Sequence, residues 1–187
     1  MNKIPQVMVF GSHSPQPGSD EYNQALELGR MLAEAGFDVA SGGYGGIMEA
    51  VLKGAGEFGG GRIGYTSEIF PLSHNSFVSR EIKTNNIFDR LQRMISDSDG
   101  FIVLKGGTGT LSELALTWEL VNKKMVPYKP TICLGEFWRP VVEVLNVEPS
   151  IDNLRSLKPL SSSASNYIIF AEQPADAVRI LKDELGK

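Results

Sequence analysis

Apolar residues fall along this chain in two alternating rhythms. Short runs with few polar interruptions, "QVMVFG", "FDVASGG", "GRIGYT", "GFIVLKGG", "KPTICLG" and "NYIIFAE", read as strands buried on both faces. Between them lie stretches whose apolar positions recur every three to four residues and read as amphipathic helices. In "EYNQALELGRMLAEAG", Tyr22, Ala25, Leu26, Gly29, Leu32 and Ala33 share one helical face, and Gly36 stands where a helix closes. The other helical stretches are "GIMEAVLKGAGEF", "NNIFDRLQRMISDS", "TLSELALTWELVNKK", "FWRPVVEVLN" and "PADAVRILKDEL", with Pro174 placed for a helix start. "SEIFPLSHNSFVSREI" is poorly periodic and reads as a long loop. The serine-rich "SIDNLRSLKPLSSSAS" is too short for a linker between domains. Alternation of this kind predicts an α/β fold: a Rossmann-like, doubly wound, mostly parallel sheet with helices on both faces, residues 1–187 forming one domain.

Ligands of such sheets bind at the carboxyl ends of the strands. That directs attention to three loops, "GSHSPQPGSDEY", "SGGYGGIME" and "KGGTGTLSE". Glycine lets a ligand approach the backbone. A helix start offers unpaired N–H groups, worth about 0.3–2 kcal/mol to an anion. Thr108 and Thr110 add hydroxyls, so phosphate is the expected guest. "GAGEFG" (Gly54, Gly56, Gly59) has the spelling of a dinucleotide fingerprint but follows a helix and precedes a strand, the reverse of the required context.

Side-chain direction singles out two charges. On the helix after the third loop, Leu111, Leu114, Ala115, Trp118 and Val121 form the apolar face, and Glu113 lies away from it. Thr110-Leu-Ser-Glu113 also fits a capping box, so Glu113 has a structural reading beside a chemical one. On the preceding helix, Ile87, Leu91, Met94, Ile95 and Ser98 face inward. Arg90 sits at the edge of that stripe, within reach of the rim, and Arg93 points outward as a solvated charge.

Composition narrows the function classes. Over 187 residues, 42% are hydrophobic and 21% charged, as in an ordinary globular chain, and the net charge of −4 argues against a nucleic-acid binder. No run approaches the roughly 20 apolar residues of a membrane span, and "MNKIPQVMVFGSHS" is too short in its apolar part for a secretory signal. The single cysteine, Cys133, excludes an intramolecular disulfide and reads as a small core residue. His13 and His74 are far apart with no cysteine nearby, which gives a zinc site little support. A cytoplasmic protein needing no metal or redox cofactor is the expectation.

"SDSDGFIVLKGGTGTLSELALTWEL" resembles the signature of the LONELY GUY (LOG) family, formerly labelled "possible lysine decarboxylase", whose strand leads into P-G-G-x-G-T-x-x-E. "FGSHSPQPGSDEYNQALELGRMLAEAGFDVASGGYGGIMEAV" is similar to that family's first half. The likeness covers roughly residues 6 to 135. It implies a homodimeric phosphoribohydrolase that releases a free base from a nucleoside 5′-monophosphate, either a cytokinin riboside 5′-monophosphate or an AMP-like nucleotide. It implies Arg90 and Glu113 as the catalytic pair and Gly106, Gly107, Thr108, Gly109 and Thr110 as the phosphate loop. Gly11 and Ser12, with Gly42, Gly43 and Gly46, map onto the other two substrate-binding segments. This chain departs from the pattern at Lys105, which replaces the motif proline, and at "DRL", which replaces E-R-K. "GTLSELAL" leans toward nucleotide-binding relatives, among them molybdenum cofactor carriers, which implies as the alternative a protein that holds a nucleotide or phosphorylated cofactor without hydrolysis. Lysine decarboxylation has no support, because no lysine stands in a context suited to a pyridoxal phosphate Schiff base.

Overall fold

The computed structural model describes residues 3–145 and 167–187; the serine-rich stretch lies outside the described residues. The elements follow in the order β1 (Gln6–Phe10), α1 (Asp20–Glu34), β2 (Asp38–Ser41), α2 (Ile47–Gly56), β3 (Arg62–Ser67), β4 (Arg80–Thr84) and α3 (Ile87–Asp97). Then come β5 (Gly100–Val103), α4 (Thr108–Asn122), β6 (Thr131–Leu134), α5 (Arg139–Leu145), β7 (Ile168–Ala171) and α6 (Pro174–Leu185). The strands form one sheet in the order β4-β3-β2-β1-β5-β6-β7, parallel at every pairing, as the alternation predicts. The chain winds outward from β1 to β4, then returns to the other side of β1 as β5. The order therefore reverses between β1 and β5, which opens a crevice at their carboxyl ends.

β1 shows why its run is continuously apolar. Val7 and Val9 enter the core beneath α1, α2 and α6, while Met8 and Phe10 enter the opposite core beneath α3, α4 and α5. Cys133 is wholly buried in the second core, where burial pushes its thiol up to about 12, so it is inert filler. Ser19 caps α1 by accepting from the Tyr22 amide, and Gly36 follows its last turn at φ +79°. The glycines inside α1 and α2 mark where those helices touch. A Cβ on Gly29 would stand 2.0 Å from the Val51 carbonyl oxygen, and one on Gly54 2.0 Å from that of Leu26.

Two boundaries differ from expectation. Residues 80–84, whose first part reads in sequence as the end of a loop, form β4. This strand is an edge strand, largely exposed and carrying Arg80, Glu81 and Lys83, the charged composition that discourages further pairing. α4 begins at Thr108, two residues before the expected start at Thr110, with Gly107 as its N-cap. No helix among the described residues is long and apolar enough to cross a membrane.

Candidate functional site

The crevice between β1 and β5 holds a cavity of about 500 Å³. One wall is the start of α4. Its first intrahelical bond runs from the Leu111 amide to the Gly107 carbonyl, so the amides of Thr108, Gly109 and Thr110 stand outside the helical ladder. Among the described residues, no side chain caps this helix. A Cβ on Gly107 or Gly109 would meet nothing within 4 Å, so both glycines leave the approach to those amides open. Gly106 acts differently. A Cβ there would lie 2.2 Å from Thr110 Oγ1, so this glycine lets the loop fold back on its own threonine. Behind the loop, Trp138 Nε1 donates to the Leu104 carbonyl at 3.0 Å and fixes the point where strand becomes loop.

Glu113 is the sixth residue of α4. With Gly107 as the N-cap, the third helical position is Thr110, so Glu113 cannot close a capping box and faces the cavity from the second turn. Its side chain is only 12% exposed. Burial pushes its carboxyl up to about 7, with Arg90 pulling in the other direction. Thr117 Oγ1 donates to the Glu113 backbone carbonyl at 2.7 Å, which leaves the carboxylate itself uncommitted.

Arg90 is buried and lines the cavity; its Nε donates to the Tyr65 carbonyl at 2.7 Å and its Nη2 to the Gly42 carbonyl at 3.2 Å. The remaining nitrogen, Nη1, faces Glu113 Oε1 at 3.9 Å. That separation is too long for a hydrogen bond. The guanidinium is thus anchored by β3 and by the residue that follows β2, and its charge is offered to Glu113 across a gap. Arg93 pairs with Asp97 at 2.9 Å on the surface, as its outward direction predicts.

The glycines of the second segment act on the framework. Gly42 supplies the carbonyl that holds Arg90, and a Cβ there would stand 2.2 Å from Nη2. Gly43, at φ +78°, packs on Gly64 and accepts from the Asn75 amide. Gly46, at φ +67°, lies so close to the first loop that a Cβ would meet the His13 and Ser12 backbones at 2.4–2.5 Å. This contact lets the Ile47 amide, at the start of α2, donate to the Ser12 carbonyl at 2.9 Å. The start of α2 is therefore partly satisfied from within, whereas that of α4 is not. Gly42, Gly43, Gly46 and Gly106 are not among the cavity-lining residues; Gly11, Ser12, Gly107, Thr108, Gly109 and Thr110 are. Gly11 also makes room for Ile47, whose Cγ2 would stand 2.5 Å from an added Cβ.

Sequence reasoning missed the aromatic side of the cavity. Tyr44 and Phe70 meet edge to face at 5.7 Å and lie 5.6 and 5.9 Å from the Arg90 guanidinium. The Tyr44 hydroxyl accepts from the Ser67 amide at 3.0 Å, and Asn75 Nδ2 donates to the Gly43 and Tyr44 carbonyls at 3.0 and 2.8 Å. These bonds tie the β3–β4 connection, which carries Phe70, to the glycine segment. The only sequence signals were an aromatic inside a glycine-rich loop and the apolar "IFPL" in an aperiodic stretch. His13 also lines the cavity, although its sequence context suggests no more than an unsupported metal ligand.

The sequence profile of the SLOG cluster4 family matches residues 4–148. The chain is 31% identical over 132 residues to an uncharacterised protein of Archaeoglobus fulgidus, covering 71% of this chain and 85% of that one. It is 30% identical over 158 residues to the probable cytokinin riboside 5′-monophosphate phosphoribohydrolase LOGL5 of Oryza sativa, covering 82% of this chain and 58% of that one. Against the cytokinin riboside 5′-monophosphate phosphoribohydrolase of Mycobacterium tuberculosis, identity is 34% over 117 residues, covering 60% and 61%. The chain thus spans only about three fifths of the length of these last two relatives. Among solved structures, TM1055 superposes with a TM-score of 0.75 at 28% identity, covering 96% of this chain and 99% of that one. The molybdenum cofactor binding protein of Rippkaea orientalis shares the fold, with a TM-score of 0.76 at 23% identity and 98% of both chains covered. With its glycine-rich loop after β5 and its Arg90–Glu113 pair in place, the chain belongs to the SLOG cluster4 family, as a divergent LOG-like member.

Proposed function

We propose that this chain is a phosphoribohydrolase that cleaves the N-glycosidic bond of a nucleoside 5′-monophosphate, giving the free base and ribose 5-phosphate. The observation that carries the reading is Glu113, a buried carboxylate facing the cavity one turn beyond an uncapped helix start. The names of the rice and mycobacterial relatives support the same reaction class. In this reading the 5′-phosphate accepts from the amides of Thr108, Gly109 and Thr110, with the Thr108 hydroxyl beside it, and Gly11 and Ser12 border the sugar. Remote binding energy at the phosphate then holds the anomeric carbon against Glu113.

Cleavage builds positive charge on the anomeric carbon. Ionised Glu113 stabilises that charge and takes a proton from the attacking water. A carboxyl at about 7 is a stronger base than an ordinary one and is still substantially ionised at neutral pH. Arg90 is the group that keeps it so. The activity that depends on ionised Glu113 therefore rises as pH increases through about 7.

The competing reading is a carrier that holds a phosphorylated heterocycle intact. It uses the same helix start but has no need of a buried carboxylate at the sugar. The two readings separate on incubation with a panel of nucleoside 5′-monophosphates, assayed for free base and ribose 5-phosphate, with Glu113→Ala alongside. Release by the wild type and its loss in Glu113→Ala are expected. Binding without release from any nucleotide would overturn the hydrolase and favour the carrier, and undiminished release by Glu113→Ala would remove that residue from the chemistry.

A further inference from the structure

Hydrolysis of a nucleotide needs two proton transfers, and Glu113 accounts for one. While Glu113 accepts a proton from water, the departing base gathers the electron pair of the broken bond and must be protonated by a separate acid. Among the described residues, four ionisable side chains line the cavity: His13, Tyr44, Arg90 and Glu113. Tyr44 is occupied, its hydroxyl lying between the Ser67 amide and carbonyl. Arg90 holds two backbone carbonyls and keeps its charge. Only His13 remains.

The two histidines of the chain differ in this respect. His74 Nδ1 is engaged with the Asn75 carbonyl at 2.9 Å. His13 is exposed and, among the described residues, its ring has no hydrogen-bond partner, while the backbone on either side of it is held. The Ser12 amide donates to the Lys105 carbonyl, the Ser12 carbonyl accepts from Ile47, and the Ser14 amide donates to Ser12 Oγ at 3.1 Å. Gly46 closes against the His13 carbonyl from the other side. A firmly seated backbone that carries an uncommitted imidazole is a suitable mount for an acid. Topology adds the geometry. His13 belongs to the loop after β1 and Glu113 to the helix after β5, so the two stand on opposite sides of the switch-point crevice.

We infer that His13 is the general acid of the reaction, protonating the base as it leaves while Glu113 activates water from the other wall. The inference rests on the phosphoribohydrolase reading. The bond between the anomeric carbon and the base nitrogen breaks, and its electron pair goes to the base, which takes the imidazolium proton and departs neutral. Water adds to the anomeric carbon and gives its proton to Glu113. Transfer of that proton to His13 through solvent restores both groups, so the sum is nucleotide plus water to free base plus ribose 5-phosphate.

Leaving-group dependence tests this directly. AMP is compared with the 5′-phosphate of p-nitrophenyl ribofuranoside, whose phenolate leaves without protonation, using wild type, His13→Gln and His13→Ala. The expected result is a fall in kcat on AMP of about 10²–10⁴-fold in both variants, the range of a general acid, with turnover of the p-nitrophenyl substrate retained. Equal losses on both substrates would mean that His13 only shapes the site, and no loss on either would mean that it is uninvolved; each overturns the assignment. AMP gives way to whichever nucleotide of the panel the wild type turns over best; if it releases base from none of them, the phosphoribohydrolase reading itself falls and takes the acid with it. Activity in wild type with an unaltered His13→Gln leaves that reading standing and removes only this inference.

Discussion

Glu113→Gln changes one buried ionisable group into a neutral amide of the same shape, and its effect on stability can be worked out in advance. Burial raises this carboxyl from an ordinary 4.5 to about 7 in the folded protein. Between those two values the folded state keeps a proton that the unfolded state has released. Stability therefore falls as pH rises through that window, and the whole loss is in place above about 7. At 1.36 kcal/mol for each pKa unit, the loss is roughly 3 kcal/mol. Glutamine has no proton to release, so Glu113→Gln escapes it. The variant is expected to match the wild type near pH 4.5 and to exceed it by up to roughly 3 kcal/mol at pH 8, or about 6–12 °C in Tm for a chain of this size. Urea unfolding of both proteins from pH 4.5 to 8 reads the difference directly. A gap that does not change with pH would refute the reasoning. So would a wild type that gains on the variant as pH rises, since the Arg90 charge would then outweigh burial. On the phosphoribohydrolase reading, the expected gain in stability comes with loss of hydrolysis, the trade-off of a group placed for chemistry.

Gly109→Ala separates the cradle from the fold. The methyl group would stand in open space on the cavity wall, at the second residue of α4. Thermal unfolding should show unchanged or raised stability, by up to about 1 kcal/mol from helix propensity, while phosphate-ester affinity measured by calorimetry falls at least about tenfold. Undiminished affinity would place the phosphate elsewhere. Arg90→Lys keeps a charge but cannot hold the Gly42 and Tyr65 carbonyls in the same fork, so its ammonium is drawn away from Glu113. Arg90 lowers the Glu113 pKa, so the acid limb of kcat/KM should move to higher pH in this variant. An unmoved limb would show that Arg90 does not set the charge of Glu113.

How much of this was legible in the sequence depends on whether a residue's role is decided locally. The central strands were readable because burial on both faces leaves a continuous apolar run, as in Val7 to Phe10. β4 was not, because an edge strand shows its charges, and "REIKT" looks like loop. The early start of α4 was hidden by Gly-Thr-Gly-Thr, which has little helix propensity, although Thr108, Gly109 and Thr110 form its first turn with Gly107 as the N-cap. Arg90 and Glu113 could be named from helical geometry and family likeness together. That Arg90 would turn inward to two backbone carbonyls could not, since those acceptors belong to β3 and to the residue that follows β2. Tyr44 and Phe70 come together with Arg90 from three separate elements, and no spacing rule joins them.

The glycines carry the sharpest distinction. In sequence, Gly46 and Gly109 are equivalent: each sits in a glycine-rich turn at a helix start, and each suggests a ligand approaching the backbone. Physically they are opposites. The space a side chain would need at Gly46 is filled by the backbone of the neighbouring loop, and at Gly109 it is empty. The first glycine brings protein to protein, and only the second leaves room for a guest. On the proposed reading, anion recognition therefore narrows from three loops to one helix start. Among the described residues lining the cavity, the one permanent cation is Arg90, already committed to carbonyls. A phosphate here must be recognised by the direction of amides and the dipole of α4, a selection by geometry more than by charge. Such a cradle would hold its guest in one orientation, which is the condition that the proposed role of Glu113 on a single bond requires.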